Sequence, residues 1–194
     1  MRRLVLRVAI ALLAPFSRAM TPLASGMARI WHRARLKASL TDVDVSVQCD
    51  GCVIIGGTRD IRIGKRCRLG RDIELSTEGE GRIRLGDEVR INRGCTLVSY
   101  TGITIGDYTI IGEYVSIRDA NHGTNKDEPM RYQEHTAFPI HIGRDVWIGR
   151  GCCILPGTTI GEGSVIGANS VVTSDIPPYS IAAGSPARVV KKRK

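Results

Sequence analysis

The chain has 194 residues, 42% of them apolar and 24% charged, with a formal net charge of +9; that suits one sizeable core and excludes a disordered chain. Aromatics are only 5% against 22 glycines, so the core must be built from small aliphatic side chains, which favours a repetitive β architecture over a helical bundle. The six cysteines, Cys49, Cys52, Cys67, Cys95, Cys152 and Cys153, include one C-x-x-C (CDGC) and one adjacent pair, which completes neither a zinc site nor a secreted disulfide framework.

Residues 1–40 form the first element. The start MRRLVLRVAIALLAPF is charged and then apolar, but Arg7 interrupts the apolar run and Pro15 ends it, far short of the roughly 20 residues a spanning helix needs. Arg3 and Arg7 lie one helical turn apart, and Arg18, Arg29, Arg33, Arg35 and Lys37 follow among Leu, Ile, Met and Trp31. The segment reads as a basic amphipathic helix. It either lies on an anionic membrane surface or packs within an oligomer with its arginines solvated. Nucleic acid is not an expected partner, since no stacking-aromatic or groove-helix pattern accompanies the basic residues.

Residues 41–186 form the second element, and internal repetition dominates it. Aliphatics recur every six residues at Ile63, Leu69 and Leu75, at Leu85, Ile91 and Leu97, at Ile105, Ile111 and Ile117, and from Ile142 through Ile148, Ile154, Ile160 and Ile166 to Val172. Glycine usually follows the aliphatic. A small or β-branched residue stands four places after each, for example Cys67, Val89, Cys95, Thr109, Cys152 and Ser164. This period is neither the 3.6 of a helix nor the two of a plain strand. Each unit reads as a short strand and a corner, with glycine permitting the bend and β-branched residues favouring extension. Three units close a triangular coil. The runs amount to five full coils, and VDVSVQCDGCVIIGGTRDI adds another in irregular phase; at about 4.8 Å per coil the prism is about 25–30 Å tall. The count slips near Gly81 and Gly102, which reads as enlarged corners. It stops altogether in RDANHGTNKDEPM, just after His122, so that a loop at 123–141 is extruded. Extruded loops on rigid scaffolds are where function is placed. A basic tail, 187–194, ends the chain.

The stretch from Ile63 to Lys192 resembles the hexapeptide-repeat acyltransferases, and FPIHIGRDVWIGRGCCILPGTTIGEGSVIGANSVVTSDIPPYSIAAGSPARVV is similar to their galactoside, maltose and nodulation-factor O-acetyltransferase branch. DANHGT with EPMRYQ downstream looks most like the enzymes that acetylate lipopolysaccharide, capsule or exopolysaccharide sugars. The resemblance implies an all-β left-handed parallel β-helix, a homotrimer and acetyl-CoA as donor substrate with no metal. It also implies a sugar or glycan acceptor; because acetyl-CoA is cytoplasmic and six cysteines without a framework suit a reducing compartment, the expected location is cytoplasmic, at the inner face of the cytoplasmic membrane. The first forty residues lie outside it. It makes His122 the catalytic base at a seam between subunits, a role that suits imidazole because one group both takes the hydroxyl proton and returns it to the thiolate. Asn92 matches an acceptor-binding asparagine. Trp147, Arg150, Ala168, Thr173, Ser174, Arg188 and Lys191 match positions that contact coenzyme A, with Lys192 and Arg193 adding charge suited to its phosphates. Ser174 departs from a common lysine and Arg150 from a small polar residue.

The residues by themselves leave alternatives open. Asp119 orients the imidazole, binds a sugar hydroxyl, or makes a corner hydrogen bond; His135 lines the acceptor pocket or is a solvated loop histidine; Asn92 is also a natural corner residue. His32 and His141 read as surface residues. GEGSVIG spaces its glycines G-x-G-x-x-x-G, echoing the repeat rather than a dinucleotide fingerprint. Cys153 points outward with no histidine beside it in sequence, which disfavours a thiol nucleophile. A zinc carbonic anhydrase on the same prism would need an H-x-x-x-x-H pattern that His122, His135 and His141 do not make. A non-catalytic scaffold would need no histidine-bearing loop. An N-acetyltransferase acting on an amino sugar and a small-molecule acetyltransferase remain the chemical alternatives.

Overall fold

The hexapeptide period closes into three stacks of short parallel strands. In the computed structural model, which describes residues 2–40 and 42–194 apart from the side chains of 2–9, 12 and 16–25, the first face carries strands 42–43, 61–63, 83–85, 103–105, 140–142 and 159–160. The second carries 48–49, 68–69, 90–91, 110–111, 147–148, 165–166 and 180–184, and the third 53–57, 73–77, 96–99, 116–118, 153–154 and 171–172. Six coils result, the irregular first one included. Register is strict: Ile83, Ile103 and Ile140 lie in line on the first face, and Ile91, Ile111 and Ile148 on the second. All the repeat aliphatics from Ile63 to Val172 are at most 5% exposed, and the small residues four places on are equally enclosed. Where such a residue is polar, its hydroxyl donates to a corner carbonyl, as Thr109 does to Gly143 and Ser164 to Pro177, both at 2.9 Å, which removes the cost of burying it.

The glycine after each aliphatic has a different role from the expected one. The bend is made two residues later by a left-handed residue, with φ of 54° at Arg66, 59° at Glu88 and 61° at Tyr108. The glycine itself is required because the next coil is too close. A Cβ on Gly106 would sit 2.6 Å from the Arg144 amide nitrogen, and one on Gly149 2.6 Å from that of Ala168.

The enlarged corners near Gly81 and Gly102 follow the third-face strands Ile73–Thr77 and Thr96–Ser99. The interruption after Ile117 is not a plain loop over 123–141. Ala120–His122 and His135–Ala137 pair antiparallel, and the coil resumes at Ile140. The hairpin thus leaves the edge between the third and first faces, anchored where Phe138 donates its N–H to the Asp119 carbonyl and Ile140 to that of Gly102.

Both ends are more integrated than expected. The helix Arg2–Ser39 sends Leu36, with Leu40 just beyond it, into the same core as Val47, so its last turns cap the first coil. His32, expected at the surface, is half-buried there with its Nδ1 enclosed. At the other end, 187–194 is not a tail: Ala187–Lys192 folds back on Ser180–Gly184. Lys192 Nζ donates to Pro178 O and Ser180 Oγ, and Arg193 to Asp145 Oδ2 and Gly163 O. Among the described residues no helix is long and apolar enough to cross a membrane.

The cysteines divide by burial. Desolvation pushes the Cys49, Cys67 and Cys95 thiols up to about 11 and raises Cys152 as well, so at pH 8 they hold almost no nucleophilic thiolate. Iodoacetamide at that pH is expected to label the half-buried Cys52 and Cys153 in the native protein and the other four only after denaturation. Peptide mass mapping reads the difference, and labelling of Cys67 or Cys95 in the native state would contradict it.

Candidate active site

Antiparallel pairing of the hairpin places His122 directly across from His135. Cross-strand partners share a side of the ribbon, and the two imidazole rings lie with centroids 4.3 Å apart at 43°. Tyr100, from the corner that precedes the fourth coil, stacks on the other side of His135 with centroids 4.6 Å apart at 27°. The order is therefore Tyr100, His135, His122, with His122 outermost and exposed. Stacking restricts the rings and leaves the His122 nitrogens open to a substrate. Tyr100 was missed in the sequence reading; its one signal was an aromatic residue, in a chain with few, at a slipped corner.

Asp119 does not bind an acceptor, nor does it bond to an imidazole. It is 0% exposed, and its carboxylate accepts five hydrogen bonds from one short segment. These come from Ser99 Oγ (2.8 Å), Tyr100 N (2.7 Å), Thr101 N and Oγ1 (both 3.0 Å) and Gly102 N (2.7 Å). A carboxylate can replace water for that many donors only when they converge, and here they do so at the root of the hairpin. Asp119 thus positions the turn that presents Tyr100, and through it the histidine stack.

Asn92 lies at another edge, between the second and third faces. Corresponding corners carry glycine, at Gly70, Gly112, Gly149 and Gly167, each donating its N–H to the next coil's second-face strand as Asn92 does. Asn92 thus departs from a mostly glycine column, as Asp50 does in the first coil, where its N–H donates likewise to the Leu69 carbonyl. Asn92 Nδ2 donates to Glu113 Oε1 at 3.3 Å, and Asn92 lines a cleft of about 440 Å³ together with arginines from neighbouring coils.

The residues matched to the donor separate into groups. Trp147 is 56% exposed on the second face; Arg150 and Ala168 occupy the same edge as Asn92, with the Arg150 guanidinium 5.6 Å from the Tyr114 ring centre. Arg188 and Lys191 lie on the carboxy-terminal strand against that second-face sheet. Thr173 and Ser174 follow the strand Val171–Val172 and so share the hairpin's edge. Lys192 and Arg193 are each tied to their own prism by hydrogen bonds. Within one chain, then, the histidine stack and most of the donor residues are on different edges. Among the described residues no group of three or more His, Cys, Asp or Glu side chains is arranged to hold a metal ion.

Residues 139–174 match the bacterial transferase hexapeptide family of six repeats. The chain is 39% identical over 142 residues to a putative lipopolysaccharide biosynthesis O-acetyl transferase of Escherichia coli, covering 68% of this chain and 71% of that one. It is 33% identical over 135 residues, 69% of its length, to a probable acetyltransferase of Mycobacterium tuberculosis. The chain spans about half the length of some of the curated relatives it matches, 45% of that mycobacterial protein and 58% of a Rhizobium meliloti nodulation protein. Among solved structures, a galactoside acetyltransferase in complex with coenzyme A aligns with a TM-score of 0.57 and 30% identity, over 83% of this chain and 69% of that one.

Replacing Asp119 by Asn keeps the size but turns half of the acceptor into a donor facing other donors. Asp119→Asn is expected to lose roughly 2–4 kcal/mol in urea unfolding, the cost of leaving buried N–H groups unpaired. A loss below 1 kcal/mol would mean that the latch is not what holds the turn.

Proposed function

We propose that this chain, which belongs to the hexapeptide-repeat acyltransferases, transfers an acetyl group from acetyl-CoA to a sugar hydroxyl of a lipopolysaccharide, capsule or exopolysaccharide. The observation that carries this reading is the exposed His122 ring at the end of the Tyr100–His135–His122 stack, held on a hairpin that interrupts the coil for no structural gain. His122 takes the proton from the acceptor hydroxyl as the oxygen attacks the thioester carbonyl. The carbon–sulfur bond then breaks, and the same imidazole gives its proton to the departing thiolate. No covalent enzyme intermediate is needed. Imidazole ordinarily titrates near neutrality, so both halves are feasible at one pH.

The donor's pantetheine arm fits along the edge where Gly149 and Ala168 keep the corner low, beside Trp147 and Arg150. Arg188 and Lys191 supply charge for the nucleotide phosphates. Because these lie on a different prism edge from His122, a complete site needs a second copy. A homotrimer supplies one at each seam, with Thr173 and Ser174 contributed alongside the histidine. Acetyl-CoA places the protein in the cytoplasm. Ile10, Leu13, Met27, Ile30 and Trp31 are 59–68% exposed on the helix, near Arg29, Arg33 and Arg35, and this combination fits peripheral contact with an anionic membrane.

His122→Ala is expected to keep the trimer and coenzyme A affinity while turnover falls roughly 10²–10⁴-fold, about 3–5 kcal/mol of transition-state stabilisation. His135→Ala acts on acceptor KM through loss of the stack. Steady-state transfer to glycan acceptors, with calorimetry for the donor, separates the two; near-normal turnover of the His122 variant would end the general-base reading, and an active monomer in light scattering would end the shared site. Deleting residues 1–26, which spares Leu36 and Leu40 but removes Ile10 and Leu13 with the arginines that precede Gly26, should weaken binding to anionic vesicles at low salt, where surface charges are least screened. Unchanged vesicle binding after the deletion would rule out residues 1–26 as part of the contact.

A further inference from the structure

Stacked coils put identical positions of successive repeats in contact, so like charges in register repel. The second face and its following edge carry two such ladders. Arg68 and Arg90 are register partners on adjacent strands, and Arg71 and Arg93 occupy successive corners, where the Gly94 N–H donates to the Arg71 carbonyl. All four line the cleft of about 440 Å³ that also holds Asn92.

Comparison with the first face shows what is unusual. There Arg62 and Arg84 are also register partners, but each has a carboxylate. Arg62 pairs with Asp42 at 3.7 Å, and Arg84 with Asp60 at 2.7 Å, where the guanidinium hydrogen bond holds the Asp60 carboxyl below its ordinary range. In the cleft only Arg68 is paired so, with Asp50 at 2.9 Å. The other acid, Glu113, accepts from the Asn92 amide. Among the described residues Arg71, Arg90 and Arg93 have no carboxylate partner within salt-bridge distance. Arg93 instead lies 5.3 Å from the centre of the Tyr114 ring, which Arg150 approaches at 5.6 Å. Four arginines and two carboxylates, Asp50 and Glu113, line this concave site, a net of two positive charges, and Tyr114 joins it to the donor edge.

We propose that this cleft binds a phosphate or diphosphate group of the acceptor, so that the protein acetylates a phosphorylated sugar rather than a free or neutral one. Guanidinium forks match phosphate oxygens in pairs. The acceptor class, which rests on the acetyl-transfer reading, follows from position: the cleft lies on the same edge as the donor residues but in earlier coils. Asn92 belongs to it, and the sugar attached to the phosphate would extend toward the seam where a neighbour's His122 enters. A nucleoside diphosphate sugar and a polyprenyl diphosphate sugar both carry the required group.

The first measurement is independent of acetyl transfer. With coenzyme A saturating, so that the donor site is filled, inorganic pyrophosphate is titrated calorimetrically into the native protein, an Arg71→Gln/Arg90→Gln/Arg93→Gln variant and an Arg62→Gln/Arg84→Gln control. The native protein and the control should bind it, and the triple variant at least about tenfold more weakly, the effect of losing roughly 1.4 kcal/mol of charge-assisted contact. Equal binding by native and triple variant, or none by the native protein, would overturn the site. Coenzyme A binding reports that each variant is folded; single Arg90→Gln and Arg93→Gln variants carry the same comparison if the triple one is not.

The second measurement compares kcat/KM for one sugar as its methyl glycoside, its 1-phosphate, its nucleoside diphosphate and its polyprenyl diphosphate in detergent. A preference of at least about tenfold for phosphorylated forms, collapsing in the triple variant, supports the acceptor class, and the better of the last two identifies the carrier. Equal kcat/KM for neutral and phosphorylated acceptors would overturn it. Pyrophosphate binding in a protein that acetylates none of them would uphold the anion site and count against the acetyl-transfer reading instead.

Discussion

Each coil rests so closely on the next that the glycines at most corners have no room for a Cβ. Gly106 and Gly149 would each press one to 2.6 Å from a backbone nitrogen of the following coil. This contact sets the register of all three faces, and register in turn lines up the inward aliphatics into one continuous core. Strands of two or three residues could not hold a sheet alone; they hold here because every coil buries its neighbour's apolar ends. A scaffold so constrained cannot make a site in its interior. Function must come from what departs from the repeat at its edges.

Three departures do this. Asn92 puts a side chain into a mostly glycine column, the hairpin at 120–137 adds an antiparallel ribbon to a parallel prism, and Arg71, Arg90 and Arg93 lack the ion pairs seen on the first face. The hairpin is costly to order, and Asp119 bears much of that cost. By gathering five donors of residues 99–102 it converts a slipped corner into a rigid root. Gln133 stabilises the far end, accepting from Asn125 N and donating to the Asn125 and Glu128 carbonyls. The histidines sit between these two fastenings.

Charge follows the same division. Most arginines with carboxylate partners, such as Arg66 with Glu88 at 2.6 Å, lie exposed and contribute little individually. Arg193 is spent closing the last coils. Arg71 and Arg93, without carboxylate partners, lie along one edge, with Tyr114 between Arg93 and Arg150.

The sequence alone determined the period of six, the two inward positions per unit, the coil number and the interruption after Ile117, because burial of an aliphatic at each repeat is a local, one-dimensional rule. It also singled out His122, as the histidine at the point where the count fails. Tertiary structure decided the rest. That the turn is made two residues after the glycine, not at it, depends on the coil stacked beneath. Asp119 could be read as a ligand or a corner bond until the residues 99–102 were seen to converge on it from an earlier coil. The carboxy-terminal basic run looked free, but its strand pairing with Ser180–Gly184 and the bonds of Lys192 and Arg193 come from partners distant in the chain. His135 became part of a stack only through cross-strand pairing, and the arginines of the cleft became a cluster only because register places residues some twenty positions apart side by side. A period shows what repeats along the chain; only the superposition of coils shows what the repeats bring together.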